Sequence, residues 1–187
     1  MRVGGIVLCG GNSTRMGRPK AWLPVGSETM LARTVRVVAE VVSPVVVVAA
    51  AGQELPPVDA LVVRDERANC GPLAGIAAGL ANLHADAAFI TACDVPFLRA
   101  AFVRRLVELY ASPLTAVHPL AGVWSVELLA LVREHLAADR LAVRDLLAAV
   151  PTRFLVREAF ADVDPAMESC LNANTPAEYD AVRRAWL

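Results

Sequence analysis

Three stretches of this chain, Val3–Leu8, Val45–Ala50 and Ala87–Ala92, hold no charged residue, and Thr91 is their only polar side chain. A strand that is apolar along its whole length is buried on both faces, so something must cover each side of it. The stretches between them supply the cover. Residues 28–42 place Met30, Leu31, Val35, Val38 and Val42 at helical spacing, and Pro44 ends the run. Residues 73–83 repeat the pattern with Ile76, Leu80 and Leu83, and residues 102–110 with Phe102, Val103, Leu106 and Tyr110. Shorter strands are expected at 61–63, 114–117 and 154–156, and further helices at 126–136, 141–150 and 177–187. Apolar strands alternating with amphipathic helices specify a three-layer α/β fold, Rossmann-like and doubly wound on a mostly parallel sheet. Ligands of such sheets bind at the carboxyl ends of the strands.

The 187 residues suit a single domain. A hydrophobic fraction of 56% is ample for a core and argues against disorder. The net charge is −1 and no basic block stands out, which argues against nucleic acid and anionic membranes as partners. No apolar run approaches the ~18 residues of a membrane span. The N-terminus faintly resembles a signal segment but runs into glycines without a cleavage site, and reads better as a first strand. Cys9, Cys70, Cys93 and Cys170 have no C-x-x-C spacing. They suit thiols in a reducing compartment, so a cytoplasmic location is expected.

The densest motif is Leu8-Cys9-Gly10-Gly11-Asn12-Ser13-Thr14-Arg15-Met16-Gly17-Arg18-Pro19-Lys20, directly after the first strand. Its glycines allow close backbone approach and leave amides free to meet phosphate oxygens. No G-x-G-x-x-G fits, and Lys20 lacks the Ser/Thr partner of a Walker A loop. Of the 18 basic residues, Lys20 is the only lysine and the other 17 are arginines. A compact ammonium is therefore expected to matter at this position. Ser13 is not a hydrolase nucleophile, because G-x-S-x-G is absent.

Asp94 closes the strand 87–92 and precedes Pro96. There a carboxylate can hold Mg²⁺ with phosphates and waters completing the octahedron, or can cap the next helix. Asn172 and Asn174 lie at i and i+2 before Thr175-Pro176. Their amides can face one way toward a polyoxygenated ligand, while Asn174 or Thr175 can cap the last helix. Asp65 follows the strand 61–63, where it can be a surface partner of Arg64 or Arg67. His84, His118 and His135 have no metal spacing; His118 opens a His-Pro-Leu segment that resembles a substrate-side loop of a known family. Trp22 is expected to pack under the loop, and Trp124 and Trp186 to anchor the core or a helix.

The string L-x-G-G-x-S-x-R-M-G-x-P-K resembles that of the molybdenum cofactor guanylyltransferase (MobA-type) nucleotidyltransferases. Cys70-Gly71-Pro72-Leu73-Ala74-Gly75 resembles that family's G-P-L-A-G segment, and Asn172-Ala173-Asn174-Thr175-Pro176 its N-x-N-T-P segment. The resemblance implies transfer of GMP from GTP to the terminal phosphate of molybdenum-molybdopterin, with release of pyrophosphate and with Mg²⁺ as cofactor. It implies Lys20, Arg15 and Asp94 as catalytic residues. Leu8, Cys9, Gly10, Gly11, Ser13, Lys20, Asp65, Gly71 and Asp94 would bind GTP, with Asp65 and Gly71 near guanine. Asp94 would hold the metal, and Asn172 and Asn174 would face the pterin. Cofactor-delivery proteins or molybdoenzymes would be transient partners. A cytidylyltransferase on the same cofactor, another small-molecule nucleotidyltransferase and a non-catalytic nucleotide-binding regulator are the rivals. Having both Lys20 and Asp94 argues against the last. The chain departs from the family between Leu114 and Trp124, where a strand, a variable loop and a returning segment are usual. Here Leu114-Thr115-Ala116-Val117 runs straight into His118-Pro119, which means a short loop or residues missing from the stretch.

Overall fold

A computed structural model describes residues 1–10, 17–65, 67, 70–110 and 121–186, together with the backbone of 114–118. Its main sheet has seven strands: β1 (Val3–Leu8), β4 (Val45–Ala50), β5 (Leu61–Asp65), β6 (Ala87–Ala92), β7 (Leu114–His118), β8 (Ala121–Ser125) and β9 (Arg153–Phe154). They lie in the order β5-β4-β1-β6-β8-β7-β9. All run parallel except β8, which is antiparallel to both of its neighbours. A two-stranded ribbon, β2 (Pro24–Val25) with β3 (Glu28–Thr29), stands apart from the sheet.

The three all-apolar stretches are the three central strands, and their alternation sorts the core. Val7, Val45, Val47, Phe89 and Val123 face one side, with Leu31, Val35 and Val38 of α1 (Met30–Ala39) and Phe102, Val103 and Leu106 of α3 (Ala100–Leu109). Ile6, Val46, Val48, Ala88, Ile90 and Trp124 face the other. There they meet α2 (Gly71–Asn82), α4 (Leu129–Ala137) and α5 (Val143–Ala148). Each fully buried aliphatic or aromatic side chain contributes about 1.5–3 kcal/mol, so these two layers carry the fold. A third cluster, Leu23, Val25, Met30, Ala173, Tyr179 and Val182, joins the ribbon to α6 (Pro176–Ala185).

The expected fold class holds, with differences at the ends of elements. The helix expected from Glu28 begins at Met30, because Glu28 and Thr29 pair in the ribbon and Thr29 Oγ1 caps the helix through the Ala32 N–H. A 3-10 turn, Val126–Leu128, precedes α4, and α5 is shorter than the 141–150 pattern. β8 was not foreseen. It supplies the returning segment that the sequence pattern lacked, pairing Phe89 with Val123 and Leu114 with Trp124. Ala121, Gly122 and Ser125 are weak strand formers, and β6, one of the two strands β8 pairs with, is distant in sequence. Cys9 and Cys93 are buried thiols. Among the described residues, no helix is long and apolar enough to cross a membrane.

Candidate active site

β1, β4, β5 and β6 are parallel, so their carboxyl ends share one edge of the sheet. The chain order reverses between β1 and β6, which are hydrogen-bonded neighbours. At such a switch point the loops after the two strands diverge and leave a crevice. The glycine-rich loop leaves β1 there, and Asp94 follows β6. Cys93 N donates to Leu8 O at 2.9 Å, and Cys9 N to Val48 O at 2.7 Å, which fixes where both loops start.

Lys20 returns to this crevice on a short 3-10 turn, Lys20–Trp22. Its Nζ donates to Asp94 Oδ2 at 2.7 Å and to Asn174 Oδ1 at 2.6 Å. Asn172 Nδ2 donates to Asp94 Oδ1 at 3.1 Å, and Ala173 N to the Asp94 carbonyl at 2.9 Å. Four residues spread over more than 150 positions of sequence thus form one polar cluster. It is sheltered: the side chains of Lys20 and Asp94 are only 18% and 12% exposed. In such a setting an ion pair is screened less than at an open surface.

The two asparagines do face one way, as i and i+2 on an extended segment should. Their target here is the Lys20–Asp94 pair. Thr175, not Asn174, is the N-cap of α6: Thr175 Oγ1 accepts from Glu178 N, while Glu178 Oε2 accepts from the N–H groups of Thr175 and Asn174. Those bonds, led by that from Asn174, hold the Glu178 carboxyl below its ordinary range. The cap frees the Asn174 side chain for Lys20. Asp94 does not cap α3, whose N-cap is Arg99.

The other expected site residues lie along the same edge. Leu8 ends β1, Cys9 is buried, and Gly10 is exposed beside Ala50 N. A hydrogen bond with Cys9 and then burial push the Cys93 thiol up, so Cys93 is not poised as a nucleophile. Asp65 ends β5 opposite Ala50, and its Oδ1 accepts from Arg67 N at 2.9 Å. Arg64 turns instead to the carbonyls of Ala50 and Gln53. Gly71, with φ +63°, opens α2 at that edge and is exposed. Gly11, Ser13 and Arg15 lie outside the described residues, as does the His118 side chain. Trp22 is half exposed and its Nε1 donates to Glu54 O. Trp124 is fully buried in the core, and His135 is buried in α4 far along the chain from this cluster.

Gln53 was missed by the sequence reading. Its Nε2 donates to Cys9 O and its Oε1 accepts from Ala50 N, both at 3.0 Å, so it ties the start of the glycine-rich loop to the end of β4. An isolated Gln after a strand carries no signal of that role.

Asp94 brings one carboxylate to the crevice, and no group of three or more His, Cys, Asp or Glu side chains gathers anywhere among the described residues. This donor set fits a hard cation that keeps waters and substrate phosphates as its other ligands, and does not fit a protein cage. Both Asp94 carboxylate oxygens already accept a protein hydrogen bond. A cation on Asp94 would therefore displace or share with Lys20 or Asn172.

The sequence model of the MobA-like NTP transferase domain matches residues 5–159. A protein of Mycobacterium avium (strain 104), named a probable molybdenum cofactor guanylyltransferase, is 34% identical over 198 residues, covering 99% of this chain and 97% of that one. One of the same name from Pelotomaculum thermopropionicum is 32% identical over 98% of this chain and 97% of its own. In crystal structures, the molybdopterin-guanine dinucleotide biosynthesis protein A of Archaeoglobus fulgidus shares the fold with a TM-score of 0.77. That match covers 99% of this chain and 98% of that one at 17% identity. With whole-chain identity above 30% and a domain match over most of its length, the chain belongs to the MobA-like NTP transferase family.

Proposed function

We propose that this nucleotidyltransferase moves GMP from GTP to the terminal phosphate of molybdenum-molybdopterin and releases pyrophosphate. The observation that carries the reading is the Lys20–Asp94–Asn174 cluster, seated where the phosphate loop and the β6 loop diverge. The names of the curated relatives support the choice of substrates. Residues 1–95 would bind the nucleotide and 96–187 the second substrate, with Asn172 and Asn174 at the junction. The setting is cytoplasmic, and proteins that deliver or receive the cofactor are transient partners.

The acceptor is a phosphate monoester, whose second ionisation lies near pH 6, so an attacking oxygen is already anionic at neutral pH. That removes the need for a general base. The oxygen attacks the α-phosphorus of GTP in line, a P–O bond forms, and the bond to the β-phosphate oxygen breaks. The chain's task is then positioning and charge neutralisation. Loop amides at Gly10 and Gly11, with Ser13, would hold phosphate oxygens. Lys20 would move from Asp94 to the charge growing on the leaving pyrophosphate, with Arg15 beside it. Asn172 and Asn174 would orient the acceptor phosphate. Asp94 would hold Mg²⁺, which when bound neutralises phosphate charge. Asp65 would accept from guanine N1–H and N2–H₂, beside Leu8, Cys9 and Gly71.

The test is product analysis with molybdenum-molybdopterin, Mg²⁺ and each of the four nucleoside triphosphates. Guanine dinucleotide should dominate. Asp65 would pair with guanine donors that cytosine lacks, so GTP should be favoured over CTP by roughly tens- to thousands-fold. A cytosine dinucleotide as main product would refute the base assignment.

A further inference from the structure

Trp186 sits just past the end of α6, and its indole has two neighbours, one bonded to the segment that carries Asp94 and one on the ribbon that follows Lys20. The Arg33 guanidinium lies over the ring, 4.0 Å from its centroid. On the ribbon turn, a Cβ placed on Gly26 would stand 3.7 Å from Trp186 Cε3, so the turn is in contact range of the ring. Arg33 belongs to α1, and its Nε donates to Pro96 O at 2.8 Å while Nη2 reaches Leu98 O at 3.5 Å. Thr34, next along the helix, donates to Cys93 O at 3.3 Å. The segment bearing Asp94 is thus held by its carbonyls: Cys93 by Thr34, Asp94 by Ala173 N, Val95 by Leu98 N, and Pro96 and Leu98 by Arg33. Gly26 belongs to the ribbon that follows Lys20, and Tyr179 Oη of α6 donates to Pro24 O of the same ribbon at 2.8 Å. At its other end α6 begins beside Asn174, which accepts from Lys20.

We propose that the Arg33–Trp186 pair is a positioning device that sets the Lys20 arm against the Asp94 arm, with α6 as the splint between them. A guanidinium stacked on an indole keeps its planar donors aimed in one direction, which an ammonium does not. The carbonyls it holds belong to the loop whose carboxylate must meet metal and phosphate, where a shift of about 1 Å can cost on the order of 10²-fold in rate. Trp186 acts through Arg33 and the ribbon.

The experiment compares Trp186→Ala, Trp186→Phe and Arg33→Lys with wild type by amide hydrogen exchange and by transfer kinetics. Trp186→Ala and Arg33→Lys should speed exchange in peptides covering 94–98, and Trp186→Ala also in 22–28, while β1, β4 and β6 stay unchanged. Trp186→Phe, which keeps an aromatic face, should restore wild-type exchange. Only the kinetic arm rests on the guanylyl-transfer reading. There Trp186→Ala should lose about tenfold in kcat with KM for GTP within about twofold. Faster exchange confined to 176–186 would make Trp186 a mere helix anchor and overturn the proposal, as would equal defects in Trp186→Phe and Trp186→Ala. If wild type forms no guanylyl product, the functional reading fails while the exchange comparison still decides the brace.

Discussion

Asp94 takes a hydrogen bond on each carboxylate oxygen, from Lys20 and Asn172, and a third on its own carbonyl from Ala173 N, all from residues more than 70 positions away in the chain. Such a group is positioned by its surroundings, and a neutral replacement tests charge apart from shape. Asp94→Asn should fold with a melting temperature near wild type and lose about 10²-fold or more in metal-dependent transfer, since an amide binds a hard cation poorly. Full turnover in a folded Asp94→Asn protein would remove the metal assignment. Lys20→Arg keeps the charge but spreads it over a broad plane. It cannot meet Asp94 Oδ2 and Asn174 Oδ1 at 2.7 and 2.6 Å from a single nitrogen placed as the ammonium is. A fall in kcat/KM of about tenfold or more is expected from steady-state rates; wild-type rates would mean that the lysine is incidental. At this scale the sequence was informative wherever a residue type is rare for its place: a lone lysine after glycines, a strand-end aspartate, two asparagines before Thr-Pro. Gln53 and Arg33 were not legible, because both act by bonding backbone carbonyls, and any carbonyl in the chain looks alike from sequence.

The elements bring these residues together by packing rules that can be tested separately. α2 lies close on β1: a Cβ on Gly79 would stand 2.7 Å from Ile6 Cγ2, inside contact distance of a fully buried, β-branched side chain. Gly79→Ala should gain up to ~1 kcal/mol of helix propensity and lose about 1–3 kcal/mol to overpacking, a net destabilisation by urea unfolding. Unchanged or raised stability would mean that α2 steps back freely. At the head of α6, Thr175→Ala removes the acceptor for Glu178 N and should cost about 1 kcal/mol. It also frees the turn that aims Asn174, so transfer should slow severalfold, and an unaltered rate would uncouple the cap from the cluster. Helix and strand existence was readable from apolar period. Element ends were not, because Thr29 and the ribbon, rather than the apolar pattern, decide where α1 begins. β8 was hidden for a related reason: its five residues become a strand only between β6 and β7.

For the whole molecule, parallel strand direction places four loop sets on one edge, and the reversal of chain order between β1 and β6 opens the crevice there. That much followed from three all-apolar stretches and the helices between them. The meeting of Lys20, Asp94, Asn172 and Asn174 did not follow from it, because the last two residues arrive on a segment that closes the chain through the satellite cluster of ribbon and α6. The most direct measurement is the fate of label from GTP carrying ³²P at either the α or the γ position, incubated with molybdenum-molybdopterin and Mg²⁺. The α label should appear in a guanine dinucleotide and the γ label in pyrophosphate, with both signals lost in Asp94→Asn. Label from the γ position in the pterin product, or release of free phosphate without dinucleotide, would contradict guanylyl transfer at this cluster.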